Sequence, residues 1–224
     1  MTIVPLAFPQ PSEAAVASYD WTDIAEGTGI VLYHAYVSET STGDDNHIST
    51  AELYSRKIET TATTGSASYA LIIEKDFDLT AFNTPRTIKG TATVTMCMAV
   101  NEHQPNGAVA GGVISGYVIA RVKKGTTEIA SAQSQTISLD TTGVPTGISE
   151  MINIPITIPI THFKIGEILR LAIEGWGKKA TTYHCRLTIG NDPMNRDGTY
   201  IKPSTDDPIT VTKMDLYCPY KIEL

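Results

Sequence analysis

Met151-Ile152-Asn153-Ile154-Pro155-Ile156-Thr157-Ile158-Pro159-Ile160 is the stretch whose reading decides the fold. Isoleucine holds every even position and Met, Asn, Pro, Thr and Pro hold the odd ones, the period of two that an extended strand sends to opposite faces. Ile152, Ile154, Ile156, Ile158 and Ile160 therefore make one apolar face. Proline has no amide hydrogen, and amides two residues apart point to the same side, so Pro155 and Pro159 remove donors from one border only. The segment is predicted to be an edge strand protected against uncontrolled pairing, with Pro155, Thr157 and Pro159 as its edge residues.

The same alternation recurs on both sides of this block. In Thr91 to Val100, Ala92, Val94, Met96, Met98 and Val100 alternate with Thr91, Thr93, Thr95, Cys97 and Ala99. Leu169, Leu171 and Ile173 face the core against Arg170 and Glu174, and Tyr183, Cys185, Leu187 and Ile189 do so against His184, Arg186 and Thr188. Near the end, Ile209 and Val211 are odd, whereas Met214, Leu216, Cys218, Tyr220 and Ile222 are even; a one-residue slip near Thr212-Lys213 predicts a β-bulge there. From Gly29 onward, blocks of about 8–12 residues are separated by Gly, Asn, Asp and Pro clusters, the spacing of a sandwich or barrel. The 31 threonines and 25 isoleucines make a quarter of the chain β-branched, which suits pleated sheet better than helix.

Residues 29–224 are read as one antiparallel β-sandwich, a size that all-β domains reach as single units. Residues 1–28 are read as an N-terminal arm and lead-in, because Pro5 and Pro9 oppose both helix and central strand. Ile3, Val4, Pro5, Leu6, Phe8 and Pro9 are its expected contact residues, and Pro11 to Ala17 can form a turn or two of helix. Two segments, Ser38 to His47 and Gly190 to Pro208, are expected to be long polar loops.

A net charge of −7 without a basic stripe argues against nucleic acid, whose recognition depends on cations that neutralise phosphate. No stretch approaches the ~18 apolar residues of a membrane span, and the start lacks a signal peptide's basic region, so the chain is expected to work in solution without membrane insertion. Cys97, Cys185 and Cys218 are odd in number and far apart, which indicates neither a zinc site nor a complete disulfide framework. One pairing among them stays open.

The sequence offers no nucleophile motif, metal-binding helix or phosphate loop, and His34, His47, His103, His162 and His184 are scattered, so neither an enzyme nor a cofactor is expected. Asp44-Asp45-Asn46 and Asn191-Asp192 with Asn195 and Asp197-Gly198 carry calcium-type oxygens, but ordinary turn chemistry accounts for both. Trp176, with Tyr183, Trp21 and the nearby His184, is the candidate sugar contact, against core or rim packing.

The run from Ile156 through Pro159-Ile160-Thr161-His162-Phe163-Lys164-Ile165-Gly166-Glu167 to Leu171, with the terminal strand Tyr217-Cys218-Pro219-Tyr220-Lys221-Ile222-Glu223-Leu224, resembles jelly-roll virion proteins of tailed viruses, of the capsid decoration and accessory type. The resemblance spans the C-terminal half and rests on a strand–turn–strand pattern. It implies a jelly-roll sandwich and a non-enzymatic virion protein on the capsid surface, assembled in the host cytoplasm. Such a protein decorates or cements a viral capsid through other copies of itself, capsid protein and the arm. Two readings stand beside it: a carbohydrate-binding module for host attachment, with glycans as partners, and a coat protein that forms the shell itself.

Overall fold

The structure is a computed structural model that describes residues 28–40, 43–103, 112–142, 147–179, 183–201 and 211–221. The arm residues Ile3, Val4, Pro5, Leu6, Phe8 and Pro9, the short helix, Trp21, Ile209 and Ile222 lie outside them. The described residues are all-β, with twelve strands. These are β1 (Thr28–Thr40), β2 (Gly43–Ser49), β3 (Glu59–Thr64), β4 (Ala70–Asp78), β5 (Arg86–His103) and β6 (Val113–Lys124), then β7 (Thr127–Gln133), β8 (Ile137–Asp140), β9 (Gly147–Phe163), β10 (Leu169–Lys178), β11 (His184–Gly190) and β12 (Met214–Lys221).

Eight of these strands pair as hairpins nested one inside the next. β6 pairs antiparallel with β7, β5 with β9 around them, β4 with β10 around those, and β1 with β12 outermost. β12 also pairs with β5 and β10 with β6, so the nest rolls into two layers, β1-β12-β5-β9 and β4-β10-β6-β7. Nested antiparallel pairs rolled into two facing sheets are a jelly roll. Of the other strands, β11 lies on the far half of β5 and carries β3, β8 continues β7's side of β6, and β2 forms a hairpin with β1. A single parallel pair, His47 with Asp78, links β2 to β4.

The core lies between the layers. Ala92, Val94, Met96, Met98 and Val100 of β5 meet Ile152, Ile154, Ile156 and Ile158 of β9, and opposite them lie Leu169, Leu171 and Ile173 of β10, all buried. Where β11 crosses β6 and β10, Leu187 seats over two glycines. A methyl group on Gly175 would stand 2.7 Å from Leu187 Cδ2, and one on Gly116 2.9 Å from Cδ1, so only hydrogen lets the sheets approach this closely.

Three expectations are corrected. Ile160 is 60% exposed and not part of the apolar face, because the register slips between the Ile88–Thr161 and Gly90–Ile158 pairs and exchanges the faces, leaving Phe163 buried instead. The bulge expected at Thr212-Lys213 is not in the ladder: β12 begins at Met214, and its register against β5 shifts between Tyr217 and Tyr220. Both slips meet at Gly90, whose φ of +114° suits glycine and on which a methyl group would stand 3.7 Å from the Pro219 ring. Pro159 and Pro219, one on each neighbouring strand, cannot supply ladder donors there. Finally, Ser38 to His47 is no loop but the tip of the β1–β2 hairpin, with Ser38 opposite Asp45 and Thr40 opposite Gly43. Largely polar composition on both faces imitates a loop where a hairpin runs out beyond the core.

Candidate functional site

The two outer faces of the sandwich differ sharply in charge. On the β1-β12-β5-β9 layer, the outward register pairs Thr91 with Thr157, Thr93 with Pro155 and Thr95 with Asn153, and Tyr217 of β12 adjoins Thr93, with Leu32 of β1 beyond it. Thr95 Oγ1 donates to Asn153 Oδ1 at 2.7 Å. The charges at its margins are Asp215, held by His34 Nδ1 at 2.7 Å, Lys213, paired with Glu52, and the exposed Lys89 of β5. Thr157, Pro155, Pro159 and Met151 are exposed along β9, which among the described residues pairs with β5 alone. The result is a flat, nearly neutral surface of hydroxyls, proline rings and one tyrosine.

The β4-β10-β6-β7 layer presents the opposite. Arg170 grips Asp78 with two nitrogens, Nε at 2.5 Å and Nη2 at 2.8 Å, and reaches Asp76 at 2.9 Å; Lys123 meets Asp76 at 3.3 Å. Arg121 binds Glu174 through Nε at 2.7 Å and Nη2 at 3.0 Å, and Glu128 through Nη1 at 2.7 Å. The Arg121 guanidinium holds the Glu174 carboxyl below the usual carboxylate range. These pairs are half-buried at the surface, and ion pairs at such sites contribute about 1 kcal/mol each to stability. Within this face runs one aromatic row: Trp176 of β10 stands beside Tyr117 of β6 with rings 6.2 Å apart and nearly parallel, and Tyr69 lies 4.9 Å from Tyr117.

The far half of β5 and the outward side of β11 are covered. Cys97, Ala99 and Thr188 are buried, with Cys97 and Ala99 packed against Ile201 and Val211. The covering loop is fixed by its own polar groups. Fully buried Asp192 accepts from the Arg196 amide and Nε, both at 2.9 Å, and Asn195, at φ +54°, accepts the Thr212 amide through Oδ1 at 2.9 Å. Glu59 accepts the amides of Thr199, Tyr200 and Ile201 at 3.1–3.3 Å. Arg186 stacks on Tyr200 at 4.3 Å and donates to His103 Nδ1 at 2.6 Å; burial and this cation push the His103 pKa down. Between the outer borders of β3 and β4 runs an open groove of about 620 Å³, with Ile58, Thr60, Ala62, Ile72, Ile73 and Lys75 among its lining residues.

The sequence-predicted residues fall in separate places. Pro155, Thr157 and Pro159 lie on β9, Trp176 on the charged face, and His184 on β11 in the other layer, beside Gly65 and His103. Tyr183, a candidate companion of Trp176, is buried at the head of β11. The ring that Trp176 does stand beside, Tyr117, lies on another strand and is aligned only by register, so no spacing in the sequence points to it. Asp44 is engaged by Arg56 and Lys57, and Asp192 by Arg196, so both calcium candidates already have cations. Among the described residues, no three His, Cys, Asp or Glu side chains are placed to hold a metal. All three cysteines are buried, and burial pushes the Cys185 and Cys218 thiols up to about 12. No described helix is long and apolar enough to cross a membrane.

No protein-family model matches the chain, and no curated protein matches its sequence. Solved structures resemble it at low identity. A CocE/NonD-family hydrolase from Staphylococcus aureus is 11% identical with a TM-score of 0.41, covering 84% of this chain and 36% of its own. An α-amino acid ester hydrolase is 7% identical with a TM-score of 0.47, covering 84% and 36%. The VP2 protein of infectious bursal disease virus, in T=1 particles, is 13% identical with a TM-score of 0.25, covering 84% and 44%. The chain thus spans less than half the length of each, and likeness this distant assigns it neither hydrolysis nor shell formation.

Proposed function

We propose that this chain is a non-enzymatic structural component of a virion, which decorates or cements the capsid of a tailed virus by contacts with copies of itself and with capsid protein. The observation that supports this reading is the neutral outer face. Like charges brought together across a contact repel, and the area around Thr91, Thr93, Thr157, Pro155 and Tyr217, which carries little charge, can meet a copy of itself without that cost. Pro155 and Pro159 disfavour strand addition along β9, which leaves the flat of the sheet, and not its border, as the contact. The sequence resemblance to virion accessory proteins points the same way, with the capsid surface as location and the host cytoplasm as the place of assembly.

Sedimentation velocity of the full chain, together with imaging of its native assembly, tests the reading. The wild type is expected to be oligomeric and seated on a capsid lattice through the β5–β9 face, and a Thr157→Glu/Tyr217→Glu variant to be monomeric with an unchanged melting curve. A wild type that stays monomeric and is absent from particles overturns the proposal. Closed shells made of this chain alone would replace it with the coat-protein reading.

A further inference from the structure

The charged face carries a feature that the assembly reading does not use, and its argument stands without that reading. Tyr117 and Trp176 stand 6.2 Å apart with rings nearly parallel, Tyr69 extends the row 4.9 Å from Tyr117 with its ring tilted by 60°, and Leu71, 40% exposed, sits opposite Trp176 on β4. Tyr69 is 36% exposed, with the Lys178 ammonium over its ring. Exposed aromatic surface grouped at the end of an otherwise charged face marks a candidate contact.

We propose that this row binds carbohydrate: a flat, unbranched, equatorially linked oligosaccharide lying across β4, β10 and β6. A pyranose ring with equatorial substituents is apolar on its C–H faces and polar around its rim, so it suits aromatic rings bordered by polar groups. The Trp176 and Tyr117 rings, 10° from parallel, give the surface for stacking. Hydrogen-bonding groups stand at its border with their geometry already fixed. Glu174 accepts from Arg121 and from Trp176 Nε1, at 3.2 Å for the latter, which leaves one of the carboxylate's four acceptor sites open. Three of the five Arg121 donors are engaged and two remain. Lys178 places its ammonium 5.2 Å from the centre of the Tyr69 ring, with donors that can reach a hydroxyl. A few preoriented polar groups around an aromatic surface is the general plan of a small-molecule site.

The test is titration of the full chain with cellohexaose and chitohexaose, read by tryptophan fluorescence and calorimetry after a glycan-array screen. At least one flat oligosaccharide is expected to bind. Tyr117→Ala and Trp176→Ala should each weaken it by about tenfold or more, and Tyr69→Ala and Lys178→Ala by several-fold. Trp176→Phe, which keeps a stacking surface and guards against a folding defect, should retain part of the affinity. Binding unaltered within twofold by the alanine variants overturns the proposal, as does the absence of any glycan bound by the wild-type array. Retention of a protein through this row, without sugar, overturns it too.

Discussion

Replacing Gly175 with alanine puts a methyl group 2.7 Å from Leu187 Cδ2 and 3.0 Å from Ile73 Cβ. Overpacking of this kind costs about 1–3 kcal/mol, and alanine's better strand entropy returns roughly 0.5–1 kcal/mol. The net expectation is about 1–1.5 kcal/mol of destabilisation. Leu187→Ala alone empties a fully buried site and costs about 3 kcal/mol. Additivity would put the double variant near 4–4.5 kcal/mol. Because the alanine at 175 then fills space that Leu187 has vacated, the double variant should instead lose only about 2.5 kcal/mol, a coupling of about 2 kcal/mol. Urea unfolding of the four proteins measures this cycle, and a change of 1 kcal/mol should also move Tm by about 2–4 °C in a domain of this size. If the two substitutions add within about 0.5 kcal/mol, Leu187 does not sit against Gly175 and the layer contact at β11 is wrong.

Three further outcomes can be checked. Because burial and Arg186 depress the His103 pKa below its unfolded value, the unfolded chain binds more protons; this contribution is intact above about pH 6.5 and lost as pH falls through the depressed pKa, so the urea midpoint should drop on acidification and do so less in His103→Gln. Asp192→Ala strips the buried acceptor from the Arg196 amide and guanidinium and should cost about 2–4 kcal/mol, with faster hydrogen exchange at residues 194–201; unchanged exchange would contradict the clamp. Pro155→Val restores an amide on β9 and should raise light scattering on standing, whereas the same change at Pro219 of β12, which lies between β1 and β5, should mainly alter stability.

Much of the sandwich is legible in the sequence because burial on one face enforces the alternation. In β5, β9, β10 and β11 the residues assigned to the core are buried up to the bend at Gly90, but Cys97, Ala99 and Thr188 of the outward set are buried too, Cys97 and Ala99 against Ile201. The failures sit where something other than face burial decides. Ile160 looks like its four neighbours, but a register slip set by another strand turns it outward. The β1–β2 tip lies beyond the core, so its composition reports only that it is wet. The aromatic row needs Tyr69, Tyr117 and Trp176 on three parts of the chain, and no spacing within one strand foretells their meeting. The neutral face was half legible: the threonines of β5 were visible as an outward set, but not that they would lie against Pro155 and Thr157.

The nesting of the strands bears on how such a chain is made. β12 enters the sheet between β1 and β5, so the β1-β12-β5-β9 layer has a gap through its middle until Met214–Lys221 emerge from the ribosome. Until then, β1 has no inner neighbour and the left border of β5 is bare over Ile88–Met96. A nascent chain in that state carries exposed pairing edges through most of its synthesis, and its closure joins residues nearly two hundred positions apart, a topology that folds slowly. Truncations that stop before β12 should therefore depend on chaperones or aggregate, and the native sheet should close only once Met214–Lys221 are available to pair.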